Sequence, residues 1–211
     1  MLNIAVLVSG GGTNLQALIN AQAAEEIHNG RIALVVSSNS RAGALVRAEK
    51  AGIPSAVLVH GNFSAQKDYD EALLDLFNQY KIDLIVLAGF LTIVSNEVVE
   101  KYRNRILNVH PSLLPSFGGE GYYGLHVHEA ALKRGVKVTG ATVHFVNEVC
   151  DGGPIILQKA VEVLPGDTPQ TLQRRVMEQA EWKLLPKAVS LFCEDRLSVK
   201  DGIVTIREAQ T

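Results

Sequence analysis

The chain has 211 residues, of which 47% are hydrophobic and 20% charged, with a formal net charge of −2. Such a length and composition give one globular domain with a sizeable core, and a near-neutral balance without a long basic run argues against nucleic acid or a membrane surface as partner, leaving a small molecule. Cys150 and Cys193 stand far apart without a metal-ligand spacing, and no apolar run is long enough to cross a bilayer. The chain also opens as Met1-Leu2-Asn3 without a basic secretory region, so a reduced, cytoplasmic protein is expected.

Ile4 to Val8 reads as a buried strand, which Ser9-Gly10-Gly11-Gly12-Thr13-Asn14 turns into a helix from about Leu15 to Ala24. Glycines let the backbone approach a ligand, and a helix start offers free N–H groups with a favourable dipole. The unit therefore suits a phosphate, or else simply makes a tight turn. The dinucleotide fingerprint fails, because Leu15 stands where a third glycine belongs. The second strand, Ile32 to Val36, also runs into Ser37-Ser38-Asn39-Ser40 without an acidic ribose ligand. Gly-Lys-Ser/Thr is absent too, which points to one phosphomonoester rather than NAD or a triphosphate. Leu45 to Ala51 is a helix closed by Gly52, Ser55 to Val59 a third strand, and Ala65 to Tyr80 an amphipathic helix with Tyr69, Leu73, Leu76 and Phe77 on its apolar side. Ile82 to Leu87 is the next buried strand. The run after it, Ala88-Gly89-Phe90-Leu91-Thr92-Ile93-Val94, is apolar where a loop is usually polar; it either receives a flat aromatic ligand or plugs the core.

A short helix, Asn96 to Tyr102, leads to a strand over Arg105 to Val109 and to Asn108-Val109-His110-Pro111-Ser112-Leu113-Leu114-Pro115, the stretch around which the chain is organised. Strand alternation puts Asn108 and His110 on one face, roughly 6 to 7 Å apart. Pro111 ends the strand and presents the imidazole at the carboxyl end of the sheet, where open α/β sheets bind ligands. The pair is either chemical or two polar residues satisfied by the turn. Asp151-Gly152-Gly153-Pro154, between two strand-like runs, supplies a carboxylate that can return to the same sheet end. An Asn, a His and an Asp together can donate to an oxyanion, move a proton near neutral pH and orient the imidazole. Phe117 to Gly124 is a glycine-rich aromatic loop before a helix over Val127 to Lys133, and His126-x-His128 lacks a third ligand at local spacing for a metal. Val138 to Val146 alternates as a strand with Thr142 and His144 on one face, so His144 either lines the cleft or is structural. Ile155 to Leu164 is a further strand, and Thr168-Pro169 caps a helix running to about Phe192, in which Glu181 would sit on a solvated face by pattern alone. Leu197 to Ile206 closes as a short hairpin. The whole reads as α/β, an open doubly wound, mainly parallel sheet with a Rossmann-like first half.

Four landmarks lie in register over nearly the whole length: Ser-Gly-Gly-Gly-Thr-Asn-Leu-Gln at 9–16, Leu-Ala-Gly-Phe at 87–90, Asn-Val-His-Pro-Ser-Leu-Leu-Pro at 108–115 and Cys-Asp-Gly-Gly-Pro-Ile-Ile at 150–156. With them the chain resembles the phosphoribosylglycinamide formyltransferases of purine biosynthesis. The resemblance implies the formyltransferase fold and transfer of a formyl group from N10-formyltetrahydrofolate to the amine of 5-phosphoribosylglycinamide, without a metal, by a monomer or homodimer. It implies that Gly12, Thr13 and Asn14 hold the substrate phosphate and that Glu181 contacts its glycinamide or ribose part. Leu91, Thr92, Ile93 and Val94 would border the pterin pocket opposite the Val146 to Asp151 loop, and Asn108, His110 and Asp151 would be catalytic, with Asp151 keeping His110 charged. One domain over 1–211 would comprise a phosphate-binding half to about 105 and a catalytic, folate-binding half from about 106.

The sequence departs from the commonest pattern of these enzymes at Thr92, often basic; at Gln66-Lys67, where an Arg often sits near the folate tail; and in the longer Phe117 to Gly124 loop, expected to close over the cleft. Four other readings remain to be weighed. A methionyl-tRNA formyltransferase needs a further C-terminal domain and a formyltetrahydrofolate hydrolase an N-terminal one, for which the chain leaves no room. A silent phosphometabolite binder would not need the Asn, His and Asp set. A nicotinamide oxidoreductase is opposed by Leu15 and the missing acidic residue.

Overall fold

The computed structural model describes residues 1–208. Its first strand, β1 (Leu2–Val8), is an unbroken aliphatic run whose residues from Ile4 onward have no exposed surface. A strand with water on neither face belongs at the centre of a parallel sheet, and β1 is there: the seven-stranded order is β3-β2-β1-β4-β5-β6-β7. The other strands are β2 (Gly30–Ser37), β3 (Ser55–Val57), β4 (Leu84–Leu87), β5 (Ile106–His110), β6 (Val138–Phe145) and β7 (Ile155–Glu162). The first five run parallel; β6 is antiparallel to β5, and β7 to β6.

Alternate residues of β1 feed two separate cores. Ile4, Val6 and Val8 meet α1 (Thr13–Ala23), α2 (Gly43–Lys50), α5 (Leu125–Arg134), α6 (Pro169–Val176) and α7 (Trp182–Cys193) on one side. Ala5 and Leu7 meet α3 (Gln66–Gln79) and α4 (Asn96–Lys101) on the other, where Tyr69, Leu73 and Phe77 form the apolar stripe that the sequence periodicity predicts. The chain winds outward from β1 to β3, then returns and winds the other way from β4. The neighbours β1 and β4 therefore flank the switch point at which such sheets open a ligand crevice.

Several elements begin or end one or two residues from the sequence reading, and two differ in kind. The third strand stops at Val57, and a short 3-10 turn, His60–Asn62, follows it. The helix expected to run unbroken to Phe192 starts as predicted, with Thr168 and Thr171 in a reciprocal cap and Pro169 in the first turn, but Met177–Glu181 is a π turn separating α6 from α7. Pro186 lies one turn further on and has no N–H to continue the ladder, so the helix is weakened where the wide turn forms. The terminal hairpin, β8 (Leu197–Lys200) and β9 (Ile203–Ile206), is a separate two-stranded sheet joined through Asp201-Gly202 at φ 51° and 76°. Among the described residues no helix is long and apolar enough to cross a membrane.

Candidate active site

At the carboxyl end of β1 the backbone turns at Gly12, whose φ is 74°. A Cβ there would lie 2.7 Å from the Ala44 Cβ and 2.8 Å from its Cα, so a glycine is what lets α2 touch the loop. That contact has an electrostatic result. The Gly10 carbonyl accepts from the Ala44 N–H (3.2 Å) and the Gly11 carbonyl from the Arg47 Nε (2.8 Å), so the carbonyls of the loop are occupied by α2. The N–H groups of Thr13 and Asn14 open α1, have no acceptor within the helix and suit an anion.

Asn14 is buried, and its amide donates to Glu181 Oε2 at 2.6 Å. Glu181 is 5% exposed, which overturns the solvated-face alternative: the π turn carries the carboxyl inward, and burial pushes it up to about 7 despite the bond from Asn14. Gly12, Thr13, Asn14 and Glu181 thus form one cluster, with Thr13 Oγ1 also 3.6 Å from the Met177 sulfur.

The loop after β4 divides the two readings made of it. Leu91 and Ile93 are 61% and 76% exposed and plug nothing, whereas Phe90 and Val94 pack on the α3 and α4 side and Thr92 is half-buried. The root of the loop is tied to β1, because the Ser9 N–H donates to the Gly89 carbonyl (3.1 Å) and the Ser9 hydroxyl accepts from the Leu91 N–H (2.8 Å).

At the end of β5, Asn108 and His110 face the same way and pair across the strand with His144 and Thr142 of β6. Thr142 donates to the Ser112 carbonyl (2.7 Å) and accepts from the Leu114 N–H (3.0 Å), while Gln158 on β7 donates to the Leu114 carbonyl (3.0 Å), so the proline-bounded turn is stapled to the sheet. Asp151 adopts φ 53°, and Gly153 beside it has no room for a Cβ against the Phe145 carbonyl; together they return the carboxylate to the β5 end.

The Asn108 amide donates to Asp151 Oδ1 (3.3 Å) and to His144 Nε2 (3.1 Å). His144 Nδ1 donates to the Phe145 carbonyl (2.8 Å), and its Nε2 also lies 3.6 Å from Asp151 Oδ1. His110, 4% exposed, donates from Nε2 to the Phe117 carbonyl (2.7 Å) and turns Nδ1 toward Asp151 Oδ2 at 3.4 Å. Burial holds His110 below its ordinary value, while the Asp151 charge and the Phe117 carbonyl, one at each ring nitrogen, favour its charged form. Burial pushes Asp151 up, but the rings of His144 and His110 and the Gly119 N–H (2.9 Å) outweigh it and hold the carboxylate below its usual range.

A sequence profile of the formyl transferases matches residues 2–189, which take in every strand of the large sheet. The chain belongs to the formyl transferase family. It is 42% identical over 203 residues to the phosphoribosylglycinamide formyltransferase of Haemophilus influenzae, covering 96% of this chain and 92% of that one. It is 45% identical over 199 residues to the human trifunctional purine biosynthetic protein adenosine-3, covering 94% of this chain and 19% of that protein's length. The crystal structure of glycinamide ribonucleotide transformylase 1 from Symbiobacterium toebii superposes with a TM-score of 0.92 at 42% identity, over 99% of this chain and 95% of that one. The sheet expected from the sequence is therefore the formyl transferase fold, and the chain is an enzyme of group transfer.

Within this formyl transferase the structure joins Asn108, His110 and Asp151 directly and gathers Gly12, Thr13, Asn14 and Glu181 separately. Two partners escape sequence reasoning and a third is only half legible. The Phe117 carbonyl and Gly119 N–H are backbone groups with no residue signature. The sequence holds His144 between two readings, because strand alternation gives its face but not the register with β5 that sets it opposite Asn108. His126 and His128 do not converge: His126 is exposed beside Glu129, and His128 is wholly buried with neither ring nitrogen partnered among the described residues.

Proposed function

We propose that this formyl transferase moves the formyl group of N10-formyltetrahydrofolate to the amine of 5-phosphoribosylglycinamide. The observation that carries the reading is the contact of Asn108, His110 and Asp151 at the carboxyl end of β5, on a chain whose full-length relatives bear that activity's name. The half of the domain to about residue 105 supplies the phosphate cradle at Gly12, Thr13 and Asn14, with Glu181 reaching it from the π turn toward the glycinamide or ribose. The half from about 106 supplies the chemistry. Leu91, Thr92, Ile93 and Val94 border the pterin, for which the exposed Leu91 and Ile93 offer apolar surface at the switch point.

The substrate brings its own nucleophile, so no Ser or Cys is needed. The amine nitrogen bonds to the formyl carbon and the carbonyl becomes an oxyanion, which accepts from the Asn108 amide and from His110. The Asp151 carboxylate beside Nδ1 favours the charged imidazole at the oxyanion and, directly or through a water, takes up the proton lost by the attacking nitrogen. The bond from the carbon to N10 then breaks and the proton passes to N10, leaving tetrahydrofolate and the formylated amine. Asn108 has both amide hydrogens engaged, and His110 Nε2 donates to Phe117, so substrate must displace at least one of these contacts. The loop from Phe117 to Gly124 is the movable partner.

The test mixes the purified chain with a 10-formyl folate or its dideaza analogue and follows absorbance with and without phosphoribosylglycinamide, beside His110→Ala. Deformylated folate formed only with the amine, and lost in the variant, is the expected result. Release without the amine would make the chain a hydrolase instead.

A further inference from the structure

Ser9 belongs to the glycine loop by sequence and to the β4 loop by contact. It is the first residue after β1, at the switch point, and three strand ends meet on it. Its hydroxyl accepts from the Leu91 N–H at 2.8 Å and lies 2.6 Å from the Ser38 hydroxyl at the end of β2, while its N–H donates to the Gly89 carbonyl at 3.1 Å. Ser38 in turn donates its N–H to the Val8 carbonyl at 3.0 Å, so the hydroxyl pair is itself held against the sheet. Beyond Leu91 the loop alternates, with Leu91 and Ile93 projecting into solvent and Val94 packed on the α3 and α4 side, so the Leu91 N–H is where β1 holds its solvent-facing stretch. The phosphate side of the glycine loop is held independently, through the bonds of Ala44 and Arg47 to the Gly10 and Gly11 carbonyls.

We propose that Ser9 is a positioning residue for the formyl donor: from the phosphate half of the protein, its hydroxyl sets the backbone of the Leu91 to Val94 loop against which the pterin rests. This rests on the reading, made above, that Leu91 to Val94 border the pterin. Removing the hydroxyl leaves the Leu91 N–H without its acceptor, with only the backbone bond from Ser9 to Gly89 still tying the loop to β1, yet touches none of the bonds that shape the phosphate cradle. The loss therefore falls on the folate and not on the phosphorylated amine.

The experiment compares Ser9→Ala, Ser9→Thr and Ile93→Ser in the full chain, measuring kcat, KM for each substrate, thermal midpoint and binding of a non-reactive folate analogue by fluorescence. Ser9→Ala is expected to weaken folate binding and raise the folate KM about 3- to 10-fold, the loss of one net hydrogen bond, with the amine KM and the thermal midpoint unchanged. Ser9→Thr keeps the hydroxyl and is expected to restore the folate KM. If Ile93→Ser raises the folate KM and Ser9→Ala does not, Ser9 has no positioning role although the loop borders the folate. If neither variant changes it, the pterin assignment of the loop falls and the role of Ser9 with it. Equal rises in both KM values, or a lowered thermal midpoint restored by neither substrate, would show a general loss of structure and overturn the proposal.

Discussion

Asn108 spends its amide on Asp151 and His144 in the free protein, and this makes its substitution informative. Asn108→Ala removes a donor to the oxyanion, so kcat should fall about 10²- to 10³-fold, or roughly 3 to 4 kcal/mol of transition-state stabilisation. Steady-state turnover at saturating substrates checks it, and wild-type turnover would refute the role. Asp151→Asn is the electrostatic counterpart. The Asp151 charge opposes the burial that depresses His110, so the amide variant should titrate His110 still lower while reducing kcat, which NMR of the imidazole would register. Glu181 gives a prediction on stability. Its carboxyl rises from 4.5 to about 7 on folding, so the neutral acid contributes stability in full below pH 4.5 and loses it as pH rises through about 7. Gln keeps an acceptor for Asn14 without a charge. Glu181→Gln should therefore gain about 1 to 3 kcal/mol over the parent between pH 6 and 8 in urea melts, and lose affinity for the phosphorylated amine.

Elements differ in how openly the sequence declares them. The aliphatic run of β1, the glycines after it and the Asn-x-His-Pro and Asp-Gly-Gly-Pro turns are legible because each reflects a local rule: period, backbone freedom or a fixed φ. The π turn is not, since it arises from fitting Glu181 against Asn14, 167 residues away in sequence, with Pro186 loosening the ladder behind it. The β4 loop was legible only as an ambiguity; apolar composition cannot say which of Phe90, Leu91, Ile93 and Val94 turn inward. The glycine loop offers a direct test of how an element makes a site. At Gly12 an added Cβ meets α2, at a φ that L-residues avoid, so Gly12→Ala must move either the loop or the helix. An expected cost of about 1 to 3 kcal/mol in stability, with a raised KM for the phosphorylated amine, can be read from chemical denaturation and kinetics on one preparation.

Over the whole molecule, two buried groups with opposite pH responses shape stability. His128 falls from 6.5 to about 4 on folding, chiefly through burial with help from nearby His110, so its neutral form contributes stability above pH 6.5 that is lost as pH drops toward 4. Neither of its ring nitrogens has a partner in the described residues, so His128→Leu should be close to neutral at pH 7 and more stable than the parent by about 2 to 3 kcal/mol near pH 4, judged by thermal midpoints at the two pH values. The central strand that serves both cores has a different consequence. Each N–H of β1 between Ile4 and Val8 lies under helices on both sides and between two strands, so local fluctuation cannot bring solvent to it. In deuterium oxide these amides should exchange last, at a rate set by complete unfolding, while those of the outlying β8 and β9 hairpin exchange first. Five residues of one strand would then report the free energy that holds phosphate loop, folate loop and catalytic strand in one piece.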